Sequence, residues 1–337
     1  MVRPRVLLLC GGQSEEHEVS LASARSVAAA AGERFAVTPL VIDRAGRLLP
    51  TEASVKALGS GTTAHVDTDG GSLQHLDPGA FDIVFPLLHG PLGEDGSVQG
   101  LLKLMGLPFV GSDVLGSAVG MDKLMMKAVF AAHGLPQVPY KAVRRSAWLA
   151  RPEEVLRALQ ELPYPLFVKP ANLGSSVGIS KAEDEAGLRE ALSLAAQHDR
   201  RIVVEAGLGG ARELEVGVLG NDAPEVSVVG EIRFGSDFYD YETKYTEGCA
   251  QLDIPARLGD ALAARAQQLA IEAFGAIDAA GLARVDFFLA DETLYLNEIN
   301  TMPGFTTTSM YPKLWEASGV PYGKLIARLI DLGLEAR

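Results

Sequence analysis

A chain of 337 residues is long enough for roughly two or three domains. Hydrophobic residues at 47% and charged residues at 22% fit a globular protein and exclude a disordered or fibrous one. The net charge of -13 argues against nucleic acid or an anionic membrane as the main partner, yet allows a nucleotide, which needs only a few local cations.

Cys10 and Cys249 are too few for a disulfide framework and have no metal-ligand spacing, which fits a reducing compartment. The apolar run Val6 to Cys10 stops at a glycine pair and lacks the length of a signal peptide. With no stretch of about 18 apolar residues, no membrane helix is expected, and a cytoplasmic location follows by default.

In chain order, Arg5 to Cys10 reads as a buried strand, Gly11-Gly12 as a turn, and Glu16 to Ala31 as a helix with Ser14 at its N-cap and Glu15 and Glu16 in its first turn. The glycine pair is not the dinucleotide fingerprint; an acid at the edge of a first strand can instead face a ligand in the crevice of an open sheet. Ala36 to Ile42 is a second strand, and the segment to Pro78 is poorly patterned, with His65 and His75 read as surface residues. Phe81 to Leu88 is a third strand. It runs into His89-Gly90-Pro91-Leu92-Gly93-Glu94-Asp95-Gly96, placed where a parallel sheet presents ligands. Ser97 to Met105 reads as helix and Leu107 to Val110 as a short strand, closing a first domain near Gly111.

Met121 to His133 reads as an amphipathic helix with Lys123 in its first turn, where a lysine gains nothing from the helix dipole. Pro165 to Pro170 is a strand carrying Lys169 near its end. Gly174, Ser175, Ser176 and Gly178 follow as a loop rich in amides and hydroxyls, either a lid over phosphates or a plain hairpin turn; it is not a P-loop. Arg201 to Glu205 is a buried strand, and Glu213 to Leu219 pairs with Glu225 to Ile232 as a hairpin. Asp237 to Tyr245 lacks core periodicity and reads as a polar-aromatic lid. Gly259 to Ile277, Met310 to Ser318 and Tyr322 to Glu335 read as helices.

The segment Gly281 to Gly304, GLARVDFFLADETLYLNEINTMPG, is the most informative. Two apolar strands are interrupted by Arg284, Asp286, Glu298 and Asn300, and buried charges are costly unless paired. A three-residue loop of Asp291, Glu292 and Thr293 would set Asp286 opposite Glu298 and Arg284 opposite Asn300, all on one face, whereas a two-residue loop would scatter them. Two carboxylates and an amide oxygen suit Mg²⁺, which completes its shell with phosphate and water.

Together these stretches carry a resemblance. GGQSEEHEVSL, FPLLHGPLGEDGSVQG, MDKLMMK, FVKPANLGSSVGISK, FYDYETKY, and ARVDF followed by LNEINTMPGFTTTSMYP occur in the order found in D-alanine:D-alanine ligases of the ATP-grasp superfamily. The resemblance spans essentially the whole chain. It implies an open parallel-sheet α/β domain (1–112) followed by a two-part ATP-grasp fold (113–206 and 207–337) with the nucleotide between two antiparallel sheets. It further implies ATP-dependent joining of two D-alanines through a D-alanyl phosphate, for peptidoglycan precursor synthesis, by a homodimer.

For the site, the resemblance places Lys123, Lys169, Ser175 and Ser176 at the phosphates, Glu205 and Leu208 at the adenine, and Glu213 at the ribose, with Lys244 also near the nucleotide. Asp286, Glu298 and Asn300 would hold two Mg²⁺ ions, replaceable by Mn²⁺, with a monovalent cation left open. Arg284 and the Gly304 amide would stabilise the oxyanion of the second step. Glu16 would bind the first ammonium, linked through Ser175 and Tyr245 to the lid, with His89 nearby; Lys244, Ser309 and Met310 would meet the second D-alanine. Ala206 departs from the pattern, standing where such ligases usually carry lysine. Two other readings are a related ligase that joins D-alanine to D-lactate or D-serine, against which the YDYETKY lid argues, and a non-catalytic ATP-binding protein, against which the intact Arg284, Asp286, Glu298, Asn300, Lys169 and Ser175 argue.

Overall fold

The computed structural model describes residues 3–64, 70–73, 76–174, 178–234 and 250–335. The first unit is built on β1 (Arg5–Gly11), buried from Val6 onward. Its unbroken run of Val, Leu and Cys suits a strand covered on both faces. It pairs in parallel with β2 (Ala36–Ile42) and, after α1 (His17–Ala30) and α2 (Thr51–Ser60), with β3 (Ile83–Leu87), giving the order β2-β1-β3. Helix α2 lies in the stretch whose composition showed no pattern. The strand expected over Leu107 to Val110 is reduced to one bridge, Val84 to Phe109, following α3 (Ser97–Leu104).

Helix α1 begins at His17, so Glu16 occupies the N-cap position without a side-chain cap. Ser14, expected there, donates its hydroxyl to the His89 carbonyl at 2.7 Å and ties the first loop to the third. Gly11 has φ +86°, and a Cβ there would lie 2.2 Å from the Ile42 carbonyl oxygen, so a side chain is excluded from this turn.

The helix expected over Met121 to His133 is α5 (Lys123–Ala132), and a further helix not expected from the sequence, α4 (Val114–Met121), precedes it. Asp122 divides them: its extended backbone ends α4, and its carboxylate accepts the Leu124 and Met125 N–H groups at 3.1 Å each, capping α5. Lys123 is thereby fixed as the first residue of α5, and its N–H reaches the Ala171 carbonyl at 2.9 Å.

The second unit holds β4 (Tyr140–Arg144), α6 (Arg145–Ala150), α7 (Pro152–Leu159), β5 (Leu166–Pro170), β6 (Ser180–Ala182), α8 (Glu185–His198) and β7 (Arg201–Ala206). Its sheet is antiparallel, in the order β4-β7-β5-β6. Leu188, Ala191, Leu192 and Ala195 of α8 pack on Leu166, Val168, Ile202 and Val204.

The third unit holds β8 (Arg212–Gly220), β9 (Glu225–Phe234), β10 (Ala250–Asp253), α9 (Asp260–Ala276), β11 (Gly281–Ala290), β12 (Thr293–Asn300), α10 (Met310–Ala317) and α11 (Tyr322–Leu334). Its antiparallel sheet has the order β10-β9-β8-β11-β12. Ala266, Leu269, Ala270, Ala273 and Phe274 of α9 pack on its core face. The closing helix α11 bridges this sheet and the first unit, burying Leu325, Ile326, Leu329 and Ile330 in one core with Val6, Leu8 and Leu21 of the first unit and Leu219 and Leu282 of the third.

The β11–β12 turn differs from expectation. Ala290 pairs with Thr293, so the turn contains two residues, Asp291 and Glu292, at φ 47° and 59°. Positive φ at both suits a turn that follows the twist of a tight hairpin. The charged residues nevertheless stay together: the register shifts beyond Phe287–Leu296, Asn297 is the extra residue, and Asp286 meets Glu298 while Arg284 meets Asn300. Core packing explains the bulge. Leu294, Leu296 and Ile299 are all buried, and a three-residue loop would have turned both leucines to the charged face.

Candidate active site

Arg284, Asp286, Glu298 and Asn300 line the face of the third sheet opposite α9, where strand alternation puts them. The Arg284 guanidinium donates to both oxygens of Asp286, Nε to Oδ1 and Nη2 to Oδ2, each at 2.7 Å. Asn300 Nδ2 donates to Asp286 Oδ2 at 3.0 Å. Burial opposes the charge on Arg284, but Asp286 and Glu215 outweigh it and hold the guanidinium firmly cationic. Glu215, directly opposite Asp286 on β8, places Oε2 2.9 Å from Arg284 Nε. The sequence carried the signal for Glu215 too: like Asp286, it is an acid inside an apolar strand.

Among the described residues no three His, Cys, Asp or Glu side chains gather as a metal site. The set here is two carboxylates and an amide, all oxygen donors, which fits a hard divalent cation that takes few protein ligands and keeps water and phosphate. Lys123 lies across the cleft, Nζ 3.7 Å from Glu298 Oε2 and donating to the Leu173 carbonyl at 2.9 Å.

The facing wall is the second sheet. Lys169 on β5 and Glu205 on β7 form an ion pair at 2.5 Å, and Lys127 of α5 contacts the other Glu205 oxygen at 2.5 Å. Burial would raise the Glu205 carboxyl, but Lys169 and Lys127 overcome it and bring it down to about 2. Burial likewise works against the Lys169 ammonium, and Glu205, with Glu298 and Glu213 beyond it, raises it above its ordinary value. Glu213 faces this cleft from β8, and Leu208 sits half-buried in the loop between β7 and β8. Lys127, buried within MDKLMMK, was not singled out from the sequence.

The N-terminal end of the cleft gathers around Glu16. A Cβ added to Gly90 or to Gly174 would lie 2.9 Å from Glu16 Oε2, so a loop from each of the first two units closes on this carboxylate. A cavity of about 270 Å³ opens beside it, lined by Gln13, Ser14, Glu15, Glu16, Leu92 and Leu173 among others. His89 is buried, with Nε2 3.2 Å from Ser23 Oγ and Nδ1 3.1 Å from the Met302 carbonyl; burial pushes its basicity down although the Glu16 charge opposes this. Glu94 accepts the Gly90 and Met302 N–H groups at 2.6 and 3.3 Å, and burial, reinforced by Glu16, pushes its carboxyl up to about 8.

The loop after β12 is thus stitched to the first unit: Met302 binds His89 and Glu94, and the Phe305 N–H donates to Ser23 Oγ at 3.2 Å. Gly304 lies between these anchors, and a Cβ there would be 3.2 Å from Ser309 Oγ. Ser309 accepts the Thr306 N–H at 3.1 Å at the start of α10. Met310 turns its buried side chain onto Gly230 of β9. Ser175, Ser176, Lys244 and Tyr245, with His65, His75 and the lid over 237–245, lie outside the described residues.

A family model described as the D-ala D-ala ligase N-terminus matches residues 5–112, and one for the D-ala D-ala ligase C-terminus matches residues 129–331. The chain belongs to the D-alanine–D-alanine ligase family. Membership makes it an ATP-dependent ligase that uses a divalent metal. Among the relatives of this family is a D-alanine–D-alanine ligase of Deinococcus radiodurans, 57% identical over 343 residues and covering 100% of both chains. The VanG D-Ala:D-Ser ligase of Enterococcus faecalis superposes with a TM-score of 0.86 at 32% identity, covering 98% of this chain and 100% of that one. The D-alanine-D-alanine ligase of Coxiella burnetii gives 0.81 at 35% identity, with 98% and 94% covered. These similarities agree with the ATP-grasp architecture of two facing antiparallel sheets. No helix among the described residues is long and apolar enough to cross a membrane.

Proposed function

We propose that the cleft between the two antiparallel sheets binds ATP with two Mg²⁺ ions and that both D-alanines enter from the Glu16 end. The observation that carries this reading is the placement of Arg284, Asp286, Glu298 and Asn300 on one face, with Lys123 reaching Glu298 and Lys169 on the opposite wall. Divalent ions held by Asp286, Glu298 and Asn300 would neutralise the ATP phosphates, so that a carboxylate can approach the γ-phosphoryl group. Lys123 and Lys169 bind phosphate oxygens, while Glu205, Leu208 and Glu213 hold the adenosine.

Glu16 takes the ammonium of the first D-alanine and orients its carboxylate toward the γ-phosphate. The acyl phosphate forms as ADP leaves; the deprotonated amine of the second D-alanine, whose own carboxylate meets Ser309, the Met310 amide and Lys244, then attacks its carbonyl carbon and expels inorganic phosphate. Arg284 and the Gly304 N–H stabilise the tetrahedral oxyanion. His89 and Glu94 act from behind, fixing the Gly90 and Met302 backbones around the substrate. By the family resemblance, Ser175, Ser176, Tyr245 and Lys244 help to exclude water from the acyl phosphate. The domains are 1–112, 113–206 and 207–337, in a homodimer.

The test incubates the protein with ATP, Mg²⁺ and D-alanine and seeks the dipeptide by mass spectrometry, with parallel samples given D-serine or D-lactate. Dipeptide from D-alanine alone supports the reading. The structural similarity to a D-Ala:D-Ser ligase motivates the second arm, and mixed product without dipeptide would transfer the assignment to that type.

A further inference from the structure

Glu205 stands on β7 with its side chain 3% exposed and one ammonium group on each oxygen, Lys127 on Oε1 and Lys169 on Oε2. Lys127 and Glu205 together are neutral, so Lys169, with Glu298 and Glu213 further off across the cleft, is the cation of this group left to meet an entering anion. Ala206, the next residue of β7, has no charge to contribute.

The two lysines are not equivalent. Lys127 projects from α5 with its side chain 2% exposed, and its Nζ also lies 5.2 Å from the centre of the Tyr140 ring. The Lys169 side chain is 12% exposed and experiences Glu298 and Glu213 across the cleft. An anion entering the cleft therefore reaches Lys169, while Lys127 stays sealed behind Glu205. Lys169 is also the lysine that the ATP-site reading assigns to the phosphates. Its ammonium has three N–H donors, so a bound phosphate shares it with Glu205 and draws it partly away from that carboxylate.

We propose that Lys127 is a positioning residue for nucleotide binding: it holds the Glu205 carboxylate in place when Lys169 turns from Glu205 to an ATP phosphate. The inference rests on the reading of the cleft as the ATP site. Without Lys127, Glu205 would have Lys169 as its remaining cation and would retain it, so ATP would compete with a buried carboxylate for the same ammonium group.

Lys127→Met keeps the stem of the side chain and removes its charge. The expected result is a KM for Mg-ATP raised by about tenfold or more, with kcat and the KM for D-alanine within about threefold, as for a loss of ground-state nucleotide binding. A lysine that merely filled space would lower the unfolding temperature without that split. Glu205→Gln and Lys127→Met/Glu205→Gln complete a cycle of ATP dissociation constants measured by calorimetry. Because the double variant removes Lys127 and the Glu205 charge together and leaves Lys169 facing Glu298 and Glu213 across the cleft, it provides the answer even if Lys127→Met fails to fold. If Lys127 acts through Glu205, the double variant binds ATP as Glu205→Gln does. An unchanged KM for ATP in Lys127→Met, or a double variant about tenfold weaker than Glu205→Gln, would overturn the proposal. Lys169→Met separates the two levels. Weakened ATP binding in Lys169→Met alongside an unaffected Lys127→Met would remove this inference and keep the ATP site; unaffected binding in Lys169→Met would remove both.

Discussion

Asp286 stands opposite Glu298 across the β11–β12 hairpin because the extra residue Asn297 restores, four pairs from the turn, a register that the two-residue turn alone would have displaced. Glu298 faces the cleft with a partly exposed side chain and Lys123 at 3.7 Å, where its charge can reach a ligand. Glu298→Gln is expected to lower kcat by about a thousandfold, the scale of losing one preorganised charge, while shifting stability by less than about 1 kcal/mol. Single-turnover phosphoryl transfer and urea unfolding check the two halves.

Removal of divalent cations by a chelator should abolish turnover and leave the thermal transition nearly in place. Asp286 already has Arg284 and Asn300 as partners within the protein, so the fold does not need a metal to satisfy it. A large fall in unfolding temperature on chelation would show that the metal holds the fold together.

Arg284→Met should be strongly destabilising, by about 3–5 kcal/mol, because it leaves Asp286 and Glu215 buried side by side without their cation. Adding Glu215→Gln should recover part of the loss. Urea denaturation of the two variants measures this, and equal stability of single and double variants would show that Glu215 does not depend on Arg284.

Much of this site was legible because buried charge interrupts apolar strands. Asp286, Glu298 and Asn300 stood out in the sequence for that reason, and the two antiparallel sheets followed from the resemblance. The spacing of Leu294, Leu296 and Ile299, two residues and then three, also carried the bulge, since a regular strand would keep its core residues two apart. What stayed hidden depends on distant partners. Nothing near Lys127 in sequence announces Glu205, 78 positions away by subtraction of the two numbers. Likewise α11 looks like one more helix of the last domain, and its packing on the first sheet is set by tertiary contacts.

Two carboxyls should give opposite pH signatures. Glu205 falls from an ordinary 4.5 to about 2 in the folded protein, so its stabilisation is complete above about pH 4.5 and disappears as pH drops toward 2. Glu205→Gln should flatten that acid limb, an effect on the order of a few kcal/mol. Unfolding free energies between pH 5 and about pH 2 check it; an unchanged acid limb would show that Glu205 is not held ionised by its lysines.

Glu94 is raised instead, from 4.5 to about 8, so its contribution is complete below about pH 4.5 and is lost as pH rises through about 8. Glu94→Gln, neutral at every pH, should remove the decline in stability between about pH 4.5 and about pH 8. Parallel denaturation curves for the two proteins across that range would contradict a neutral Glu94.

The central claim is that one cleft first phosphorylates the D-alanine carboxylate and then transfers the acyl group. It is tested most directly with D-alanine labelled with ¹⁸O in its carboxylate, turned over with ATP and Mg²⁺, followed by mass analysis of the released phosphate. An acyl phosphate carries one carboxylate oxygen into phosphate when the amine displaces it, so the account predicts one ¹⁸O atom per phosphate, formed together with the dipeptide. Unlabelled phosphate released alongside dipeptide would contradict it.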